Sequence, residues 1–394
     1  MHSLCSRSRP LLSFMASASH HCWPPTLAGR VFSPMESTNP PVRRAHRTAL
    51  EATDVDTGGK RVDVSGHPEE IVISDSEYFD NWYAKTAHIL SDASFTPLLI
   101  LPKSSHRDGC IYKRTHAWKE DYRIEDRNET CLEAMMLTEP PNCFFLNDQC
   151  LHHKSRRMFQ IFSVKLAQNP VGGIVQLYGY IAVRDMLDPL LNYVVNITRD
   201  DPIIVKQGSL INMTGPKRGI DFLCDVAIEY DMRIKTGEEE KNDLQLIDGA
   251  SIFGDMDTSD CHAITKRIHG DCGAIDIALA HLERAVEATI EVVISEVQSS
   301  FSLRLGCFTS GCKEEILLFD CVIGESRCLK RAVVAVVKHS WMELKFKVGL
   351  ESSCSAECCC SFRTADHGLS GQKIKTDSAL FFVKVNWSAL PRGV

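Results

Sequence analysis

The segment DVAIEYDMRIK, Asp225 to Lys235, restricts what this chain can fold into more than any other stretch. Val226, Ile228, Tyr230, Met232 and Ile234 alternate with Asp225, Glu229, Asp231, Arg233 and Lys235. A period of two places the sets on opposite faces of an extended strand, so the pattern predicts a half-buried strand with one polar face. MELKFKV repeats it, with Met342, Leu344, Phe346 and Val348 inward and Glu343, Lys345 and Lys347 outward. EATIEVVISE, FSLRLGC and LFFVKVNW follow less cleanly, while FQIFSVKLA, IVQLYGYIAV, NYVVNI, IIV and RAVVAVV are rich in β-branched and aromatic residues.

Turn chemistry divides these runs. Gly172-Gly173, Asp188-Pro189, Asp201-Pro202, Gly215-Pro216, Thr236-Gly237 and Asp248-Gly249 punctuate them, and proline cannot donate to a central ladder. Many short strands with frequent turns predict an all-β domain over residues 157–390, an antiparallel β-sandwich or barrel of ten or more strands. Ahead of it, residues 78–156 read as an irregular lead-in. Phe79, Trp82, Tyr83 and Ile89 recur at helical intervals within it and predict a short helix over Tyr78 to Leu90.

Residues 1–77 read as a disordered tail and linker. The first 50 carry six arginines, no lysine and one acid, Glu36, with frequent Ser and Pro. Residues 51–80 invert the charge, with nine acids against Lys60 and Arg61. An acid-poor, Arg- and Ser-rich start also suits a plastid or mitochondrial transit peptide. The 44 basic and 51 acidic residues give a net charge of −7, which argues against broad affinity for nucleic acid or anionic membranes. No stretch approaches the roughly 20 apolar residues of a membrane span.

The 17 cysteines follow no repeating spacing, and their odd number cannot pair completely within one chain. Cys224, Cys307 and Cys321 sit at inward-reading positions of apolar runs. Mostly free thiols in a reducing, cytoplasmic compartment are the expectation. Glycosylation acceptor patterns at Asn128, Asn196, Asn212 and Asn386 point the other way, although Asn196 and Asn386 lie in strand-like runs where a glycan is awkward.

Three clusters carry potential chemistry. Cys261, His262, His269 and Cys272 offer two nitrogens and two sulfurs that zinc accepts, and Asp255, Asp257, Asp260 and Asp271 offer oxygens. Their spacing matches no established site, and a plain loop between strands explains the composition. Cys143, Cys150, His152 and His153 form a second set, but adjacent histidines seldom reach one ion together. In CSAECCCSF, Cys358 and Cys360 share a strand face that excludes Cys359. TGPKRGI, Thr214 to Ile220, lacks the phosphate-loop pattern and reads as a tight turn. None of the established hydrolase, metalloprotease or kinase motifs is present, and no cofactor is expected.

The runs FQIFSVKLA, YGYIAVRDMLDPLLNYV, TRDDPIIV, LINMTGPKRGI, IEYDMRIK, DLQLIDG and AIDIALAHLERAVEATIEV, in that order, resemble the DUF6598 family, a plant domain of unknown function multiplied in grasses. The upstream TCLEAMMLTEPPNCFFL resembles the variable lead-in to that domain. The resemblance implies no activity, ligand or catalytic residue. It does imply an association with ribosome-inactivating domains, whose chemistry needs a Glu-Ala-x-x-Arg helix. Glu133-Ala134-Met135-Met136 and Glu287-Ala288-Thr289-Ile290 lack the arginine. The expected function is therefore a non-catalytic binding module for a protein or small molecule, with stress or defence as the context the resemblance implies. Its binding surface is expected in the loops at one end, around residues 254–276. The alternative is a nucleic-acid- or glycoside-directed hydrolase using carboxylates of that Asp-rich segment.

Overall fold

Among the described residues, fifteen strands of four or more residues build the body. They are β1 Arg156–Gln168, β2 Ile174–Arg184, β3 Asn192–Ile197, β4 Ile203–Lys206, β5 Val226–Lys235, β6 Leu244–Phe253, β7 Ile264–Gly270 and β8 Gly273–Ser295. Then come β9 Phe301–Thr309, β10 Ile316–Ile323, β11 Ala332–Val337, β12 Trp341–Gly349, β13 Ala356–Arg363, β14 Gly368–Lys375 and β15 Leu380–Ser388. The computed structural model describes residues 96–147, 149–254, 262–309, 312–349 and 356–391. The tail and the helix expected at Tyr78–Leu90 lie outside them.

The 23-residue β8 organises the molecule. Its first half pairs with β7 and β1, and its second half with β15 and β11. Ile275, Ile277 and Leu279 enter a core completed by the sheet β6-β5-β2-β3. Ala280, Leu282, Val286, Ala288, Ile290, Val292 and Ile294 enter a different core, completed by the sheet β10-β9-β12-β13. One strand thus serves two sandwiches: these odd-numbered residues feed the first core and the even-numbered ones the second. Between the halves the ladder to β1 shifts register at Leu282/Ala285, and Arg284 has φ 50°, the signature of a bulge that re-aims a strand. The sheets are antiparallel apart from Thr96–Pro97 on β7. They form no closed barrel among the described residues, so the sandwich alternative of the sequence reading is the one realised.

MELKFKV alternates as its pattern predicts, with Met342, Leu344, Phe346 and Val348 all buried. DVAIEYDMRIK departs from its pattern. Glu229, on the supposed polar face, is only 1% exposed. Residues 98–127 cover that face and build a third cluster from Leu101, Ile111, Trp118, Tyr122 and Ile124 against Ala227 and Ala250. A short helix, α1 Ala117–Asp121, anchors this cover. Its buried Lys119 closes the preceding loop by donating to the carbonyls of Lys103 (2.7 Å), Cys110 (2.8 Å) and Lys113 (3.1 Å).

Among the cysteines read as inward, Cys307 is buried but Cys224 and Cys321 are exposed. Cys224 falls in a bend outside any strand, and Cys321 lies on a solvent-facing position of the edge strand β10. Cys360 is buried, Cys359 exposed and Cys358 intermediate, the alternation expected of β13.

Candidate functional site

The cover makes a polar cleft on the outer face of β2, β3 and β5. Because Tyr180 and Arg184 of β2 and Glu229 and Asp231 of β5 alternate with core residues, all four point away from the sandwich interior toward the lead-in. His106 reaches them from the lead-in. Its Nδ1 lies 2.7 Å from Asp248 Oδ1 and its Nε2 lies 3.1 Å from Glu229 Oε1. The Tyr180 hydroxyl donates to Glu229 Oε1 at 2.7 Å and stands 3.0 Å from His106 Nε2. Arg184 Nε donates to Glu229 Oε2 at 2.7 Å, while its other nitrogens donate to the carbonyls of Arg123 (3.0 Å), Asp126 (2.9 Å) and Pro189 (3.0 Å).

Charge follows from these contacts. Burial alone would lower the His106 pKa, but the hydrogen bonds to Asp248 and Glu229 outweigh it and raise the value to about 9. Burial pushes Asp248 upward, yet donation from His106 and Ser105 holds it at about 2. Burial likewise opposes ionisation of Glu229, and the His106 hydrogen bond with the Arg184 charge brings it below its ordinary value. His106 is therefore an imidazolium between two carboxylates at neutral pH. Burial and the Glu229 charge raise the Tyr180 pKa, so its phenol keeps its proton.

The network lines one side of a cleft of about 160 Å³, whose other lining residues include Tyr112, Tyr193, Arg127 and Arg233. Arg127 lies 4.4 Å over the Tyr112 ring and donates to its hydroxyl from Nη2 at 2.7 Å. Tyr180 meets Tyr193 edge to face at 5.6 Å. Arg233 pairs with Asp231 and Glu240, each at 2.9 Å. The lining carries the cations His106, Arg127 and Arg233 with the carboxylates Glu229 and Asp231, and Arg184, Asp248 and Glu240 pair with them from behind or beside it.

TGPKRGI bends at Lys217-Arg218. Arg218 is 1% exposed and forms a forked pair with Asp185 at 2.7 and 2.8 Å. Glu287, buried in β8, accepts from the amides of Gly219 (2.6 Å) and Met135 (2.9 Å) and from the Ser388 hydroxyl (2.5 Å). Burial raises its pKa.

Of the Asp- and Cys-rich segment 254–276, Asp255, Asp257, Asp260 and Cys261 lie outside the described residues. The rest is not a plain loop: residues 264–270 are β7, which turns tightly into β8. His269 is exposed on β7, Cys272 sits in the turn, and Asp271 is exposed. Among the described residues, His262, His269 and Cys272 do not converge as a metal-ligand group, whereas Cys143, Cys150 and His153 do, joined by His367. The cleft and His367 were both missed in the sequence. A face bearing Tyr178, Tyr180 and Arg184 beside Glu229 is too aromatic and Arg-rich for a merely solvated surface, and that was the available signal.

Comparison with known proteins gives a family and little else. Human GIVD cytosolic phospholipase A2 matches at 9% identity and a TM-score of 0.21, covering 60% of this chain and 31% of that one. The paired, calcium-bound C2 domains of extended-synaptotagmin 2 match at 9% identity and a TM-score of 0.22, covering 60% of this chain and 98% of that one. This chain spans about a third of the length of the phospholipases it matches. Likenesses this faint carry nothing about function. No curated protein matches. The family model described as "Domain of unknown function (DUF6598)" matches residues 158–385, the stretch that builds both sandwiches, and the chain belongs to that family.

Proposed function

We propose that this protein is a non-catalytic binding module whose ligand seats in the tyrosine-walled cleft between the lead-in and β2, β3 and β5. The observation that carries the reading is the saturation of His106 and Glu229, the cleft's candidate acid and base. Both nitrogens of His106 face carboxylates, and both oxygens of Glu229 are engaged. A general acid or base needs a lone pair or proton directed at a substrate. Here those groups are directed at one another, and they hold the walls in place.

The ligand class follows from the balance of the cleft. Aromatic walls with a few fixed polar groups suit a small amphipathic molecule. Because His106 and Arg233 are paired with carboxylates and Arg127 is held by Tyr112, the cleft favours a neutral one, such as a single sugar residue or another polyol. Stress or defence recognition in a plant cell, with residence in the cytoplasm, belongs to the same reading.

A thermal-shift screen of the full-length protein against neutral monosaccharides, sugar acids and amino sugars tests the proposal. Neutral sugars should raise the melting temperature of wild type and leave Tyr193→Ala unchanged. Stabilisation by the anionic compounds alone, or equal stabilisation of the variant, would contradict it.

A further inference from the structure

We infer that Cys143, Cys150, His153 and His367 bind one zinc ion that fastens the lead-in to the second sandwich. The first three lie on a small knuckle in which Phe145–Leu146 pairs with Gln149–Cys150. The fourth sits 224 positions from Cys143, at the end of the connection from β13 to β14. Cys143 Sγ is 3.1 Å from His367 Nε2 and 3.7 Å from His153 Nδ1, and Cys150 Sγ is 3.2 Å from His153 Nδ1. All four ligand atoms lie within 4.8 Å of one another. Tetrahedral zinc, with bonds of about 2.3 Å to sulfur and 2.0–2.1 Å to nitrogen, sets its ligands roughly 3.3–3.8 Å apart. The three contacts of 3.1, 3.2 and 3.7 Å lie close to those separations, and all four donors are near enough to close on one ion.

The chemistry of the donors selects the ion. Two sulfurs and two imidazoles with no carboxylate suit zinc rather than calcium or magnesium. Four protein ligands close the coordination sphere, which is the structural rather than the catalytic form of a zinc site. The surroundings fix the donors in place. The backbone N–H of His153 points at Cys150 Sγ at 3.5 Å, as amides do around a metal-bound thiolate. His152 is turned aside, its Nδ1 2.6 Å from the Asn142 carbonyl, which resolves the crowding of adjacent histidines. On the other side, Asp366 is held by Lys338 at 2.8 Å, and Thr364 donates to the Ser340 carbonyl at 2.9 Å. His367 therefore follows an anchored turn.

The experiment measures zinc by mass spectrometry of metals in the full-length protein, purified reduced and without chelator. One zinc per chain is expected. Cys150→Ser and His367→Ala should lose it, while His152→Gln keeps it. Should either ligand variant fail to fold, cobalt exchange into wild type decides. A strong visible band of tetrahedral cobalt with thiolate charge transfer supports the site. Weak octahedral absorption overturns it, as does a Cys143–Cys150 disulfide whose reduction restores no metal uptake.

Discussion

His106 Nδ1 and Asp248 Oδ1 stand 2.7 Å apart across 142 positions of sequence, and this contact ties the lead-in to β6. It also sets a pH window. The His106 pKa rises from 6.5 to about 9 on folding, so its stabilisation is complete below 6.5 and is lost as pH climbs through 9. Asp248 falls from 3.8 to about 2, so its part is present above 3.8 and is lost as pH drops through 2. Maximal stability is expected from about pH 4.5 to 6.5. Between there and pH 9 the account predicts a loss on the order of 3 kcal/mol. Chemical denaturation of wild type and His106→Gln across that range checks this, since the variant should lack the alkaline decline.

The buried pair Arg218–Asp185 makes a different prediction. Each partner is 1% exposed at its side chain. Removing one leaves an uncompensated charge, so Arg218→Met should cost about 3–5 kcal/mol. Arg218→Met combined with Asp185→Leu should recover part of that loss. A urea denaturation series on the two variants distinguishes a stranded charge from lost packing, because lost packing would make the double variant worse.

Glu287 offers three acceptor contacts to donors from the lead-in, the 215–219 turn and β15. Glu287→Gln turns one acceptor into a donor facing a donor, and a loss of about 1–3 kcal/mol is expected. Hydrogen exchange at the Met135 and Gly219 amides should quicken in this variant while the core of the second sandwich stays protected.

Gly179 of β2 lies opposite Met232 of the antiparallel neighbour β5. It has φ +113°, and a Cβ there would collide with the Asp231 carbonyl oxygen. Gly179→Ala should destabilise by more than the roughly 1 kcal/mol typical of point variants and should displace Tyr180, its neighbour in the cleft. Thermal melts and the intrinsic tyrosine signal report the two effects separately.

How far the sequence reaches follows from which contacts are local. Met342 to Val348 alternate because β12 has one core face and one wet face, so period two is visible there. Glu229 carries the same pattern, but residues 98–127 cover its face, and nothing within DVAIEYDMRIK records that cover. Across β8 both faces are apolar in turn, because two cores use them, so only its second half reads as a strand. The Cys143-to-His153 knuckle is visible as a local cluster. Its fourth member is a lone histidine 224 positions away from Cys143 and has no local signature.

The central claim is ligand binding in the tyrosine cleft, and isothermal titration tests it most directly. The neutral sugar that most stabilises wild type would be titrated into wild type, Tyr193→Ala and Arg127→Ala. The account predicts one site per chain, with affinity falling about tenfold or more in each variant, a change of about 1.4 kcal/mol. Unchanged affinity in both variants, or no heat from any sugar at saturating concentration, would contradict it.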